Sequence, residues 1–408
     1  MKTVRHTLVI DGNYFLFKTL YVIPYMTKSK DILSNKKDMQ TFMRKLATDF
    51  AYETRKFEGL IDRIVFTLDS RSWRKDFHPQ ADYKGNRSAD KKINWENFTK
   101  VTEQFESYIQ KKGVLLHKVQ GAEGDDLMYA WNTHCNAKGK SVILFTGDKD
   151  MIQLVNHNPS TKAHTVLYSP VQKNLYAYHG FTEWMADKST EKEPGDIFSN
   201  SVSVESISKN LFAELLRSKK MTILEINPEE IAFKKVLTGD SGDNVAPIYY
   251  YTTTLKNGKK RTYGVSDKKA QLILDEFTEK HGNVDPMYFF TNDYVIDVAQ
   301  IASKILKAKH MSQDQLVKNI KLNANLVLLN STTIPESILE EMLRTVEILS
   351  KNTDLVVNKL TTMNKILEGT PYEKGNISIT SSVLNESDES EDDDFSFITD
   401  KKEKGKLF

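Results

Sequence analysis

The chain has 408 residues, 39% of them hydrophobic and 27% charged, the balance of an ordinary soluble globular protein with room for two or three domains. No apolar run is long enough to span a bilayer, and the "LVI" before Asp11 is too short for a signal peptide. The single cysteine, Cys135, excludes an internal disulfide framework and any multi-cysteine metal site, so a cytoplasmic protein with no membrane partner is expected.

The formal charge of +2 hides an asymmetry. Residues 371–408 hold 10 acids and 5 bases, which leaves residues 1–370 with 52 bases against 45 acids. A basic surface around an acidic pocket suits a polyanionic substrate, although solvated lysine faces give the same count.

In chain order, "HTLVIDGNYFLFK" predicts a strand ending at Asp11 and then a helix. "DRIVFTLDS" predicts a second strand ending at Asp69. The long polar, basic and aromatic stretch over 72–100 that follows is read as a functional excursion. "GVLLHKVQ" predicts a third strand, followed by "GAEGDD" entering a helix, and "SVILFTGDKDMIQLV" a fourth strand and helix. Short apolar strands alternating with helices argue for an α/β fold with a mostly parallel central sheet. Residues 1–165 are assigned to that domain. Residues 166–227, rich in Ser, Lys and Glu at their centre, are assigned to a surface insertion. Residues 228–370 read as a mostly helical region and 371–408, with seven acids between Glu386 and Asp394, as a disordered tail.

The acids fall into five groups: Asp11; Asp69; Glu123, Asp125 and Asp126; Asp148 and Asp150; Asp240 and Asp243. Four of these groups lie at or just beyond strand ends on one sheet edge, where ligands of open α/β sheets bind. So many carboxylates in a small volume need protonation or cations. Hard oxygen donors with no cysteine favour Mg²⁺, with Mn²⁺ as a substitute, and two such ions about 4 Å apart promote phosphodiester displacement. Each group alone has a plainer explanation. Asp126 would cap its helix, "TGDSGDN" would be an Asx-bonded turn, and "DKD" would be a calcium-like loop or nothing.

"VIDGN", "GAEGDD", "TGDKDMIQLV" and "TGDSGDNV" together resemble the flap endonuclease/5′-nuclease family. "LDSRSWRKDFHPQADYKGNR" is similar to that family's second-acid motif and the start of its helical arch, and the likeness is strongest to the phage replication ribonuclease H type. The resemblance implies a PIN/5′-nuclease-like fold with a helical arch over about 72–100 and a C-terminal helix–hairpin–helix-type domain. It implies a first metal site at Asp11, Asp69, Glu123 and Asp125, and a second toward Asp148, Asp150, Asp240 and Asp243. Lys84 and Arg87 would steer the scissile phosphate. Tyr83 would stack on a terminal base, or else pack against the arch. Gly264, Lys268 and Lys269 would grip a duplex backbone, although a longer stretch interrupts the family's usual Gly-rich hairpin before "YGVSDKKA". The implied activity is Mg²⁺-dependent 5′-3′ exonuclease and flap cutting that removes RNA primers and adjacent DNA in lagging-strand replication. The implied substrates are branched or nicked duplex DNA and RNA–DNA hybrids with 5′ ends. The protein would be a monomer in the host cytoplasm, with a single-strand binding protein or sliding clamp as partner for its C-terminal region. A PIN-type ribonuclease acting on free RNA and a non-catalytic DNA-end binding protein are the competing readings.

Overall fold

The computed structural model describes residues 6–187, 204–219, 221–254, 258–282, 285 and 289–351, so the acidic tail lies outside the described residues. The chain begins with β1 (His6–Asp11), α1 (Gly12–Leu20), α2 (Ile23–Thr27), α3 (Lys36–Arg55), β2 (Ile61–Thr67), α4 (Trp73–Phe77), α5 (Trp95–Lys111), β3 (Leu115–His117), α6 (Gly124–Ala137) and β4 (Val142–Phe145). A 3-10 segment (Lys149–Leu154), β5 (Asn156–His157), β6 (His164–Ser169), β7 (Asn174–Tyr178), α7 (Phe181–Ala186), α8 (Val204–Lys219) and β8 (Thr222–Ile226) follow. The remainder is α9 (Pro228–Thr238), a β9 (Tyr251–Thr254) and β10 (Lys260–Tyr263) hairpin, α10 (Asp267–His281), α11 (Asn292–Leu306), α12 (Gln313–Val327) and α13 (Glu336–Ser350).

The main sheet runs β3-β2-β1-β4-β6-β7-β8, with β5 paired to β6. The pairs from β3 through β6 are parallel, and β7 is antiparallel to β6. Parallel strands need both faces covered, which is why β1, β2 and β4 read as unbroken apolar runs. Leu8, Ile10, Phe66 and Phe145 join one core with Phe15, Phe50 and Phe105. Val9, Val65 and Leu144 join the other with Met128 and Trp131. A separate core, including Phe233, Phe277, Val298 and Ile320, holds α9 to α12 together.

Two expectations need correction. Residues 166–227 are not only a surface insertion, because β6, β7 and β8 extend the central sheet. The last described helix does not stay with the helical region. Met342 and Val346 of α13 are buried in the same core as Trp131 of α6, and the Arg63 guanidinium donates to Ser350 O at 3.1 Å. The excursion over 72–100 contains α4, a 3-10 turn at Pro79–Ala81 and the start of α5.

The chain adds β2 and β3 on one side of β1 and β4 on the other, so the topological switch point lies between β1 and β4. Crevices at such points, beyond the carboxyl ends of the strands, receive ligands in open α/β sheets. Asp11 and the loop holding Asp148 both stand there.

Candidate active site

Asp11 ends β1 and caps α1, accepting from Tyr14 N at 2.9 Å and from the Thr146 hydroxyl at 2.8 Å. The same hydroxyl accepts from Asp148 N at 3.0 Å, so one threonine ties the ends of β1 and β4. Asp148 in turn caps the 3-10 segment through Asp150 N at 2.8 Å. Gly147 is required between them, because a Cβ there would collide with the Tyr14 ring. Asp69, just past β2, accepts from Gly124 N at 2.6 Å, which sets the start of α6 against the end of β2.

At that start, Glu123 and Asp126 form a reciprocal capping box. Asp126 is fully buried and takes both ends of the Arg74 guanidinium, at 2.9 and 3.1 Å, together with the Trp73 indole N–H at 3.1 Å. Asp126 is therefore committed to the cap and to Arg74. Glu123 accepts from Ser72 at 2.8 Å, Arg74 at 3.1 Å and Tyr83 at 3.1 Å, and pairs with Lys84. Burial works to raise its pKa, but Lys84 and Arg74 outweigh it and hold the carboxyl down to about 2. Ligand oxygens of Glu123, Asp125 and Asp126 lie within 4.8 Å of one another.

The second-half acids arrive from the loop after α9. Lys235, in the last turn of α9, bridges Asp150 at 2.8 Å and Asp240 at 2.9 Å. That loop also receives the excursion. Lys84 N donates to Asp243 O at 2.8 Å, Asn86 to Ser241 O at 2.9 Å, and Asn244 to Asp82 O at 2.9 Å. Arg87 pairs with the Asp243 carboxylate. Asp82, Lys84 and Asn244 all sit at left-handed φ, a strained backbone held in place by these mutual bonds.

The expectation that Tyr83 offers its ring to a base is corrected. Only 4% of it is exposed, it packs with Val245 and Leu326, and its hydroxyl donates to Glu123 and to Asp243 at 2.9 Å. Tyr83 thus links two acid groups. Gly264, Lys268 and Lys269 lie apart from this cluster on the exposed approach to α10. The Ser266 side chain makes no cap bond there, which leaves the first-turn N–H groups of α10 for an anion.

Of the nine acids in the five groups, Asp11, Asp69, Asp125 and Asp148 have no lysine or arginine nitrogen of the described residues within 4.0 Å. Desolvation and the charges of Asp69 and Asp148 push Asp11 up to about 7. Desolvation, then Asp126 and Glu123, raise Asp125; desolvation, then Asp243, raise Asp148; desolvation, then Glu123, raise Asp69. Asp69 and Asp148 are open to solvent at the surface, so their desolvation is that of a crowded cleft, not of a dry core. Asp150 is pushed up to about 7 by burial and Asp148 despite Lys235, whereas Lys235 outweighs burial at Asp240 and lowers it.

A hard divalent cation fits this donor set, since oxygens alone converge and their protons are held only for want of positive charge. Sequence reasoning missed Arg74, Thr146 and Lys235. The signal for Lys235 was a base one helical turn before the "TGD" of Asp240. Arg74 stood in the basic stretch read as a functional excursion, where nothing local marks it as buried.

The chain thus sets a carboxylate cleft at the switch point of a mostly parallel α/β sheet with flanking helices. Residues 6–188, a little under half of the chain, match the family model for the 5′-3′ exonuclease N-terminal, resolvase-like domain. That match runs through β6 and β7.

Among curated relatives, DNA polymerase I of Rhizobium leguminosarum is 25% identical over 160 residues, 39% of this chain and 15% of its own. DNA polymerase I of Caldicellulosiruptor bescii is 20% identical over 281 residues, 68% of this chain and 25% of its own. A 5′-3′ exonuclease of Buchnera aphidicola is 22% identical over 156 residues, 37% of this chain and 49% of its own. The chain thus spans half or less of the length of these relatives. Similar solved structures include a bacteriophage T5 flap endonuclease in a pseudo-enzyme–product complex with DNA and metal ions, at 15% identity, 85% of this chain, 100% of that chain and TM-score 0.49. The T5 5′-exonuclease with bound zinc ions is another, at 16% identity, 89% of this chain, 99% of that chain and TM-score 0.39.

Proposed function

We propose that this chain is a divalent-metal-dependent 5′ nuclease that hydrolyses phosphodiesters at flaps and duplex 5′ ends, in DNA and in RNA primers of lagging strands. What supports the reading is the crowding of acids beside the switch point: Asp11 feels the charges of Asp69 and Asp148, Asp69 feels Glu123, and ligand oxygens of Glu123, Asp125 and Asp126 lie within 4.8 Å of one another. Asp11, Asp69, Glu123 and Asp125 would hold one ion. Asp148, Asp150, Asp240 and Asp243 would serve a second, and Asp148 could serve both. When bound, Mg²⁺ or Mn²⁺ ions lower the cost of a nucleophilic hydroxide near neutral pH and offset charge on the phosphate.

The chain's own residues supply positioning. Lys84 is fixed by its backbone bond to Asp243 and reaches the cleft through Glu123, so a short side-chain movement places its ammonium on a phosphate oxygen. A preorganised cation there stabilises charge that grows in the transition state. Lys235 keeps Asp150 and Asp240 aimed at one another. The exposed first turn of α10, with Lys268 and Lys269, suits the duplex backbone. A single-strand binding protein or sliding clamp is the partner proposed for the C-terminal region, and bacteriophage replication the setting.

Asp148→Asn and Asp150→Asn are expected to abolish cutting of a flap duplex while binding survives or tightens, since each removes a ligand and relieves repulsion with phosphate. Lys84→Ala is expected to lower the single-turnover rate roughly 10²-fold with little change in binding. Full activity in both aspartate variants sinks the two-metal reading.

A further inference from the structure

The stretch that interrupts the expected Gly-rich turn is the β9–β10 hairpin, and nothing in the proposed chemistry uses it. Its register sets Tyr251 opposite Tyr263 and Thr253 opposite Arg261. Side chains alternate along a strand, so these four share one face. The Tyr251 and Tyr263 rings stack at 5.3 Å and 15°. Tyr251 also meets the buried Tyr249 at 5.9 Å and His310 at 6.0 Å. The Arg261 guanidinium lies 5.0 Å from the Tyr263 ring centre. On the opposite face the Thr252 and Thr262 hydroxyls meet at 3.0 Å.

A lone two-stranded hairpin is marginally stable in water. Here its feet are fixed. Tyr249 belongs to the helical core, and Gly264 passes so close to Pro247 that a Cβ would lie 2.8 Å from its Cγ. The hairpin is held firmly, yet Arg261 is exposed, Thr253 is half-buried and Tyr251 is 37% exposed. From Ala246 to Ser266 the sequence has four bases and no acid. The hairpin then runs directly through Gly264 into the exposed start of α10.

We propose that the β9–β10 hairpin is a second grip on the sugar-phosphate backbone of a duplex, with Arg261 as its phosphate-binding group and Thr253 as a neighbouring hydroxyl donor. This rests on the nuclease reading, because the duplex is that enzyme's substrate. A guanidinium laid against a ring keeps its planar fork preorganised, which suits bidentate contact with phosphate. The Tyr263 ring already carries Tyr251 and Arg261, so it is poorly placed to stack an unpaired base. The donors that remain suit a backbone and not a splayed single strand.

The test is fluorescence anisotropy of a labelled blunt duplex and a labelled single strand in EDTA, across a salt series, with full-length wild type, Arg261→Gln and Arg261→Lys. Arg261→Gln should weaken duplex binding about tenfold and reduce the slope of log affinity on log salt by about one, with single-strand binding and the melting temperature unchanged. Arg261→Lys should restore the slope but only part of the affinity. Single-turnover cutting of a flap duplex by wild type with Mg²⁺ is measured alongside. If wild type binds and cuts while Arg261→Gln is indistinguishable in affinity and slope, the hairpin proposal alone falls. If wild type neither binds duplex nor cuts, both readings fall.

Discussion

Arg74 is buried with its guanidinium shared between Asp126 and Glu123, and removing it leaves Asp126 in the interior without its cation, whereas Glu123 keeps Lys84. Breaking a buried pair from one side typically costs about 3–5 kcal/mol. Arg74→Ala should therefore lower the unfolding free energy by that order in a urea titration, and a loss below about 1 kcal/mol would mean that the acids are not held by it. The acids themselves were legible in the sequence, because each follows an apolar run or a glycine turn. Of their partners, Lys84 and Arg87 came from the resemblance, but Arg74 was not legible. A lysine or arginine that neutralises a cluster across 50 or more residues leaves no local period, and Arg74 lies 52 positions from Asp126. Tyr83 was legible as belonging to the site but not as buried, since its burial depends on Val245 and Leu326 from the distant half of the chain. The buried histidines make a separate prediction. Burial lowers His6 to about 4, and His164, which it touches at 3.0 Å, is lowered further by burial and by His6. A histidine titrates near 6.5 when unfolded. Its contribution is thus fully present above pH 6.5 and is lost as pH falls toward 4, where the unfolded state binds the extra proton. In the metal-free protein, Asp11 and Asp150 act oppositely, contributing at low pH and losing that contribution as pH rises through about 7. Comparing His6→Gln with wild type cancels that background. The variant should lose stability less steeply between pH 6.5 and 4.5, by up to about 1.4 kcal/mol per pH unit, and equal slopes would contradict the assignment.

The four strands that carry the first acids were predictable because β-branched and aromatic runs end abruptly at Asp, Gly or Thr. The later strands were not. β8 is a partly exposed edge strand, separated from β6 and β7 by a long polar stretch. A strand of five residues that pairs with a segment some 48 positions away announces itself only through its partner. The helical character of α9 to α12 followed from their apolar periodicity, but nothing local marks α13 as packing on α6. That packing gives a test at this scale. A chain ended at Asn330 loses Met342 and Val346 from the core around Trp131. Its melting temperature should fall by several degrees or more, as expected when buried apolar side chains are removed. A melting curve superimposable on wild type would show that α13 belongs to the helical region alone.

The molecule brings its acidic cleft together from both ends of the chain. The excursion after β2 lies against the loop after α9, Gln153 exchanges bonds with Val327 O at 3.1 Å and Leu329 N at 2.9 Å, and Arg74 donates to Leu326 O at 2.9 Å. Neither half holds all nine acids, so the cleft depends on the docking of helical region to sheet. Its charges are also unevenly met. Lys84, Arg87 and Lys235 sit at Glu123, Asp243, Asp150 and Asp240, while Asp11 and Asp148 beside the β1–β4 crevice have no lysine or arginine nitrogen of the described residues within 4.0 Å. That imbalance is the physical basis for expecting divalent ions and a phosphodiester substrate. The most direct measurement is cleavage of a 5′-labelled flap duplex by the full chain, with Mg²⁺ and then with excess chelator, products sized on a denaturing gel. The account predicts short 5′ products with Mg²⁺, none with chelator, and none from Asp150→Asn under either condition. Cleavage that persists in chelator, or no cleavage of any 5′-ended duplex with Mg²⁺ or Mn²⁺, would contradict it.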